Sequence, residues 1–152
     1  MKKPLACLTA VFLAVTASAV TGCNGGPARV SPIVGTWVVD DAGAPFPFHM
    51  YVFNADGTMQ QANPDAGDAT TSDSDGKGVW VAEGDHIKGK WVEILADRTT
   101  HKFTGTLALS LEVKVDQDKF AGTSSASFFD ASGAQTGTAK PTALTGKRVT
   151  LP

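Results

Sequence analysis

Three side chains stand where their types invite chemistry: His49, Tyr51 and Glu93. In the run Phe48-His49-Met50-Tyr51-Val52-Phe53, the residues His49, Tyr51 and Phe53 share one face at a period of two, and Met50 and Val52 share the other. If the first face turns inward, an imidazole and a phenol offer polar contacts within an aromatic setting. Glu93 is in phase with Trp91 and Leu95, so an inward Glu93 is a carboxylate in apolar surroundings, with its pKa raised by desolvation. With His49 or His101 close by, such a group could serve general acid–base chemistry. On a solvated face the same residues would do none of this.

Around these three are the aromatic residues Tyr51, Phe53, Trp80, Trp91, Phe103, Phe120 and Phe128. They could line an interior, or simply fill one, because an apolar pocket and an apolar core share one composition. The candidate ligand-binding set is therefore His49, Tyr51, Phe53, Trp80, Trp91, Glu93 and Phe103, without an assembled catalytic constellation. Glu93, Asp97, Arg98 and His101 gather across one turn and read as a surface hairpin with a local ion pair, which stabilises little. The functional version of that turn is an Arg98 gripping a ligand at the mouth. Asp73-Ser74-Asp75-Gly76 looks like the opening of a calcium loop, but Glu83 is not at the offset of the closing carboxylate. A solvated acidic loop is the expectation, with weak calcium binding as the alternative. The histidines at 49, 86 and 101 lack metal-ligand spacing, so neither metal nor cofactor is expected. Gly-x-Ser-x-Gly, phosphate-binding, His-Glu-x-x-His and dinucleotide patterns are missing as well.

The elements that must position these residues are strands. From Ile33 onward, strand-like runs alternate with Gly, Asp, Asn and Pro, and no useful length carries a helical period. The pattern predicts strands over 34–40, 48–54, 57–62, 77–83, 86–96, 100–117, 119–130 and 142–151. In the sixth, Phe103, Gly105, Leu107, Leu109, Leu111, Val113 and Val115 fall on one face, while Lys102, Thr104, Thr106, Ser110, Glu112 and Lys114 fall on the other, interrupted only by Ala108. One buried and one wet face is the pattern of an antiparallel sheet around a core. Asn54-Ala55-Asp56-Gly57, Glu83-Gly84-Asp85, Asp116-Gln117-Asp118 and Asp130-Ala131-Ser132-Gly133 supply tight turns between successive strands. About eight strands in simple succession would leave two open edges, and closure removes them. The expected fold is all-β, an antiparallel up-and-down barrel of about eight strands, wide enough for one small ligand. Residues 63–78 are rich in Asp, Ser, Thr and Gly and read as a long loop or partly disordered excursion.

Gly35-Thr36-Trp37 at the start of the first strand resembles the Gly-x-Trp of lipocalins and the wider calycin group. The resemblance implies a glycine that bends the chain, a tryptophan that plugs the closed end, and a basic residue from the last strand lying over it. Arg148, in Gly146-Lys147-Arg148-Val149, is the candidate for that contact, which would combine cation–π attraction with packing. The chain departs from the family in having no helix pattern after the barrel and no Thr-Asp-Tyr motif, so the likeness concerns fold more than function. Barrels of the allene oxide cyclase-like type share the strand-rich plan and host isomerisation or cyclisation.

The first residues carry an address. Met1-Lys2-Lys3 and the apolar run from Leu5 to Val20 form a charged n-region and an h-region, shorter than the roughly 20 residues of a spanning helix. Val20-Thr21-Gly22-Cys23 resembles the lipobox of bacterial lipoproteins. That resemblance implies cleavage before Cys23 and a diacylglycerol on its thiol, with two or three acyl chains holding the protein at a membrane. A soluble secreted protein is the alternative. Cys7 falls in the discarded segment and Cys23 is the anchor, so the domain itself would have neither disulfide nor cysteine nucleophile. The predicted organisation is a signal peptide over 1–22, a Gly- and Pro-rich tether over 23–32 and a barrel over 33–152. Asn24, rather than Asp, after the lipidated cysteine favours the outer membrane where the host has one. Without Lys2 and Lys3 the chain keeps 11 basic and 15 acidic residues, a formal charge of −4, which argues against nucleic acid as a partner.

These readings converge on a lipid-anchored barrel at the outer side of a membrane, in the cell envelope, binding a small hydrophobic ligand. A barrel isomerase or cyclase using Glu93, His49 or Tyr51 is the second possibility. A solid barrel whose acidic loop meets a partner is the third.

Overall fold

The computed structural model describes residues 30–65 and 68–152; the expected signal peptide, Cys23 and the part of the expected tether before residue 30 lie outside the described residues. Ten strands follow one another: β1 (Gly35–Asp41), β2 (Phe48–Phe53), β3 (Thr58–Ala62), β4 (Thr71–Asp73), β5 (Gly76–Glu83), β6 (His86–Asp97), β7 (Phe103–Asp116), β8 (Lys119–Asp130), β9 (Gln135–Thr138) and β10 (Thr142–Arg148). Eight close a ring of antiparallel neighbours in the order β1-β2-β3-β5-β6-β7-β8-β10, and β10 returns to pair with β1. This is the up-and-down barrel expected from alternation and turn chemistry. The hairpins form at the anticipated places, with φ of +84° at Gly57, +67° at Gly84 and +84° at Gly133, and Gln117 taking +53° where no glycine is present.

Two short strands stand outside the ring, for one reason. The long strands β6, β7 and β8 rise past their neighbours at one end. There β4 pairs with Leu95–Asp97 of β6, and β9 pairs with Ser127–Phe129 of β8. Each covers edge hydrogen-bonding groups that the ring leaves open. The acidic stretch over 63–78 is thus not wholly a loop, because it contributes β4 and the start of β5.

Phe103 departs from the expected alternation. The β6–β7 register shifts between Leu95 and Ala96, so that Gly105 faces Leu95 but Phe103 faces Ala96. One extra residue on β7 reverses the facing of everything before it. Phe103 therefore leaves the inner surface and is 50% exposed.

The inner surface carries Trp37 and Val39 of β1, Tyr51 and Phe53 of β2, Met59 of β3, Trp80 of β5, Ile87 and Trp91 of β6, Leu111, Val113 and Val115 of β7, Phe120 of β8 and Leu144 of β10, with Ile33 beneath them. The rings form a connected series. Tyr51 meets Trp91 at 5.2 Å and Phe53 at 6.3 Å between centroids, and Phe53 meets Trp80 at 6.0 Å, all edge-on. Such geometry adds about 0.5–1.5 kcal/mol per pair beyond area burial. Most of the interior is filled.

Candidate functional site

At one end the barrel is shut. Trp37 is fully buried, its Nε1 donating to the Ile33 carbonyl at 2.8 Å, and its ring tilts against Phe120 at 5.1 Å. The Arg148 guanidinium lies over the indole, 4.2 Å from the ring centre. Its nitrogens donate to the Val34 carbonyl at 2.7 Å, to Asp118 Oδ1 at 2.9 Å and to the Pro32 carbonyl. Gly35 allows this approach: its φ is +135°, and a Cβ there would stand 2.7 Å from Arg148 Nη1. The three residues singled out as a signature, Gly35, Trp37 and Arg148, thus meet in the expected contact.

Toward the other end the inner face turns polar on one strand after another. In the pairing register, Asp41 follows Val39 on β1, His49 follows Tyr51 on β2, Gln61 follows Met59 on β3, Glu93 follows Trp91 on β6, and Ser124 stands above Phe120 on β8. All five are buried. On β7 the inner positions stay apolar to the rim, through Leu109 and Leu107.

Most of these polar groups are already wired. His49 Nε2 is 2.7 Å from the Phe46 carbonyl, which requires a proton on that nitrogen and leaves Nδ1 to accept from Gln61 Nε2 at 3.1 Å. Gln61 also donates to Asn63 Oδ1 and accepts from the Gly76 amide at 2.9 Å. Trp91 lies so close to the Gly76 backbone that a Cβ there would collide with the indole. Asp41 accepts from the Gly43 amide, Thr142 Oγ1 and Ser124 Oγ, the last at 2.6 Å.

Two groups are less complete. Glu93 is 3% exposed and accepts one hydrogen bond, from Trp91 Nε1 at 3.0 Å through Oε1. Burial raises its pKa from 4.5 to about 7; the Trp91 bond opposes that rise, and the charges of Asp73 and Asp75 add to it. The Tyr51 hydroxyl is fully buried and has no hydrogen-bond partner. Burial, and then the neighbouring charges of Asp41 and Glu93, keep it protonated.

A cleft of about 150 Å³ lies at the open end. It is bounded by Asp41, His49, Asp73, Glu93, Ser124 and Thr142 on its polar sides, by Leu107, Leu109, Ala126 and Phe128 on its apolar wall, and by Lys140 at the rim. A larger hollow of about 1070 Å³ lies on the outer surface of β1, β10, β8 and β7, where Asp40, Asp85 and Asp116 balance Lys114, Lys119 and Lys147. It is a broad groove open to water, and no side-chain polar atom known to lack a partner lines it, so the interior cleft is the stronger candidate.

Of the residues expected to bind a ligand, His49 and Glu93 reach the cleft. Tyr51, Phe53, Trp80 and Trp91 lie among the buried side chains of the core, and Phe103 is outside. No hydrogen bond joins Glu93 to His49, whose two nitrogens are committed elsewhere. Arg98 turns from the predicted cluster to Asp65, bonding it at 2.7 Å, and also holds the carbonyls of Asp68 and Thr71. Among the described residues no group of three or more His, Cys, Asp or Glu is placed to hold a metal ion. Asp41, Gln61, Ser124 and Thr142 were not singled out from sequence; the signal was present in the phase of Asp41 with Trp37 and Val39, and of Gln61 with Met59.

The fold thus defines the class of protein: an all-β chain closed into an eight-stranded antiparallel barrel, sealed at one end and cleft at the other. No protein-family model, curated protein or solved structure matches the chain.

Proposed function

We propose that this protein is a lipid-anchored lipoprotein of the cell envelope whose barrel receives a small, partly apolar ligand at its open end. The observation that carries the reading is the cleft, polar on most sides and apolar along β7, in an interior otherwise filled. Its volume of about 150 Å³ is below the roughly 300 Å³ at which drug-sized pockets begin and near that of a cavity able to hold benzene. The ligand is a molecule of that size or the end of a longer one. The Arg148–Trp37 contact supports the likeness to lipocalins, and the lipobox-like Val20-Thr21-Gly22-Cys23 supports the anchor. The chain enters the barrel beside Arg148, at the sealed end, so lipid on Cys23 leaves the cleft facing away from the membrane.

A barrel isomerase or cyclase is the second reading. It is favoured by Glu93, whose pKa near 7 suits proton transfer at neutral pH. The geometry gives that chemistry one carboxyl group without a histidine partner, and binding is the better supported of the two.

Native mass spectrometry of the protein purified from its own organism tests the proposal. A reproducible added mass that disappears on organic extraction is the expected result. Bare protein, even after incubation with small apolar and amphipathic compounds, would overturn it in favour of a solid barrel.

A further inference from the structure

We propose that the outer face of β1 and β2, with the groove beside it, is the surface on which a second copy of this chain docks to form a two-fold dimer. The face is apolar where the outside of a barrel strand is ordinarily polar. Phe48 is 63% exposed, and Val38 and Met50 are exposed as well. The pairing register sets Val38 against Met50, and Met50 against Ala62 of β3, so these side chains form one patch rather than scattered points. A contiguous apolar patch on a surface marks a site of association. Hollows flank it on both sides: the groove of about 1070 Å³ over β10 and β8, and a smaller one of about 300 Å³ toward Asn63 and Pro64. Phe48 and Val38 border both. The larger hollow exists because Thr145, Gly146 and Ala121 set small side chains next to these large ones.

Shape and charge together select the occupant. A two-fold contact needs a surface that complements itself. Here an exposed aromatic ring stands beside a hollow with room for one, so each of two copies supplies a knob and receives one. The charges of the groove are matched in the same way. Lys114 is paired with Asp85 at 3.4 Å, whereas Asp40, Asp116, Lys119 and Lys147 form no ion pair among the described residues. Lys147 and Lys119 are directly opposed in the β10–β8 register, a like-charge arrangement that costs stability until an anion comes near. Two carboxylates and two ammonium groups left over on one face find their complement in the same four groups of another copy. An anionic lipid surface or a nucleic acid would meet repulsion from half of them. Phenylalanine and methionine are also among the side chains enriched at protein interfaces. The inference goes beyond the ligand reading and does not depend on an occupied cleft.

Sedimentation velocity of the full chain, from about 1 to about 300 μM, tests the proposal. The sedimentation coefficient should climb with concentration to that of a dimer, and association should weaken as salt screens the groove charges. Phe48→Asp places a charge where the ring enters the other copy and weakens association at least about thirtyfold, the size of loss at an interface hot spot. Val81→Asp makes the same kind of change on β5, outside this face, at a side chain 64% exposed, and leaves association as it was. A chain that stays monomeric across the whole range would overturn the proposal, and that measurement needs no variant to fold. Association that both variants retain, or that both lose, would overturn it too, because it would then run through another part of the chain. Flotation with vesicles of phosphatidylcholine and phosphatidylglycerol that Phe48→Asp abolishes and Val81→Asp does not would assign the face to a lipid surface instead.

Discussion

The two ends of this barrel share eight strands, one alternation and one set of neighbours, yet behave as opposites. At the sealed end Trp37, Phe120 and Ile33 pack without polar groups to satisfy, except an indole N–H with a carbonyl waiting for it. Arg148 lies across the indole and bonds outward to carbonyls and to Asp118. At the open end the same inward positions carry Asp41, His49, Gln61, Glu93 and Ser124. Here packing gives way to a hydrogen-bonded frame around a cleft. The difference teaches that closure of the sheet sets which positions face inward, whereas side-chain chemistry two residues further along each strand decides whether they plug or receive.

The comparison can be broken most forcefully at the plug. Trp37→Ala empties a fully buried indole site and lowers unfolding free energy by about 3–5 kcal/mol, read from urea denaturation; a loss below about 1 kcal/mol would show that the sealed end is not the stabilising half. Arg148→Ala removes the cation over the ring and leaves the Val34 carbonyl without its donor. The expected loss is about 2–3 kcal/mol, measured the same way, with a wild-type cleft by ligand titration.

At the open end the effect is smaller and depends on pH. Folding raises the pKa of Glu93 from 4.5 to about 7, so the folded state holds this proton more tightly than the unfolded chain. Stability from this group is greatest below pH 4.5, falls as pH rises toward 7, and levels off above. The expected fall is about 1–2 kcal/mol once water in the cleft is allowed for. Denaturant midpoints at pH 4.5 and pH 8 should converge with those of Glu93→Gln at the acid end and separate at the alkaline end, the variant being the more stable there. Parallel curves would mean that Glu93 is not desolvated. The exposed aspartates with lowered pKa, Asp56, Asp68, Asp97 and Asp130, act in the opposite sense as pH falls toward their range and cancel in the difference between the two proteins.

The least effect belongs to Arg98→Ala. Its pair with Asp65 is more than a third exposed on both sides, so global stability changes by less than about 1 kcal/mol. Proteolytic cleavage within residues 63–75 should quicken, because Arg98 also holds the carbonyls of Asp68 and Thr71. An unchanged cleavage rate would mean that β4 alone secures the segment.

The eight ring strands were legible because alternation, turn residues and edge avoidance all point to one arrangement. Trp37 and Arg148 were legible as a pair because they lie near opposite ends of the domain, which barrel closure brings together. The strands β4 and β9 were not, since Thr71-Ser72-Asp73 and Gln135-Thr136-Gly137-Thr138 have no apolar alternation; the overhang of β6 and β8 makes them strands. Phe103 was misplaced because a one-residue bulge leaves no mark in composition. Alternation put His49 with Tyr51 and Glu93 with Trp91. Which hydrogen bonds each would make was beyond it, because alternation sets a facing and not a contact: His49 bonds the Phe46 carbonyl before its own strand and Gln61 of β3, and Glu93 bonds Trp91 on its own strand.

The clasp of Arg148 also has a mechanical consequence. The described chain begins and ends at the same end of the barrel, on the neighbouring antiparallel strands β1 and β10, whose register starts at Trp37 opposite Arg148. Tension applied between the two termini would load their ladder one rung at a time, as in a zipper, rather than all rungs together in shear. The first fastening to take that load is the guanidinium, with its bonds to Pro32, Val34 and Asp118. In single-molecule pulling this barrel would therefore open at low force, with Arg148 setting the height of the first step, and a high-force shear peak would contradict that picture.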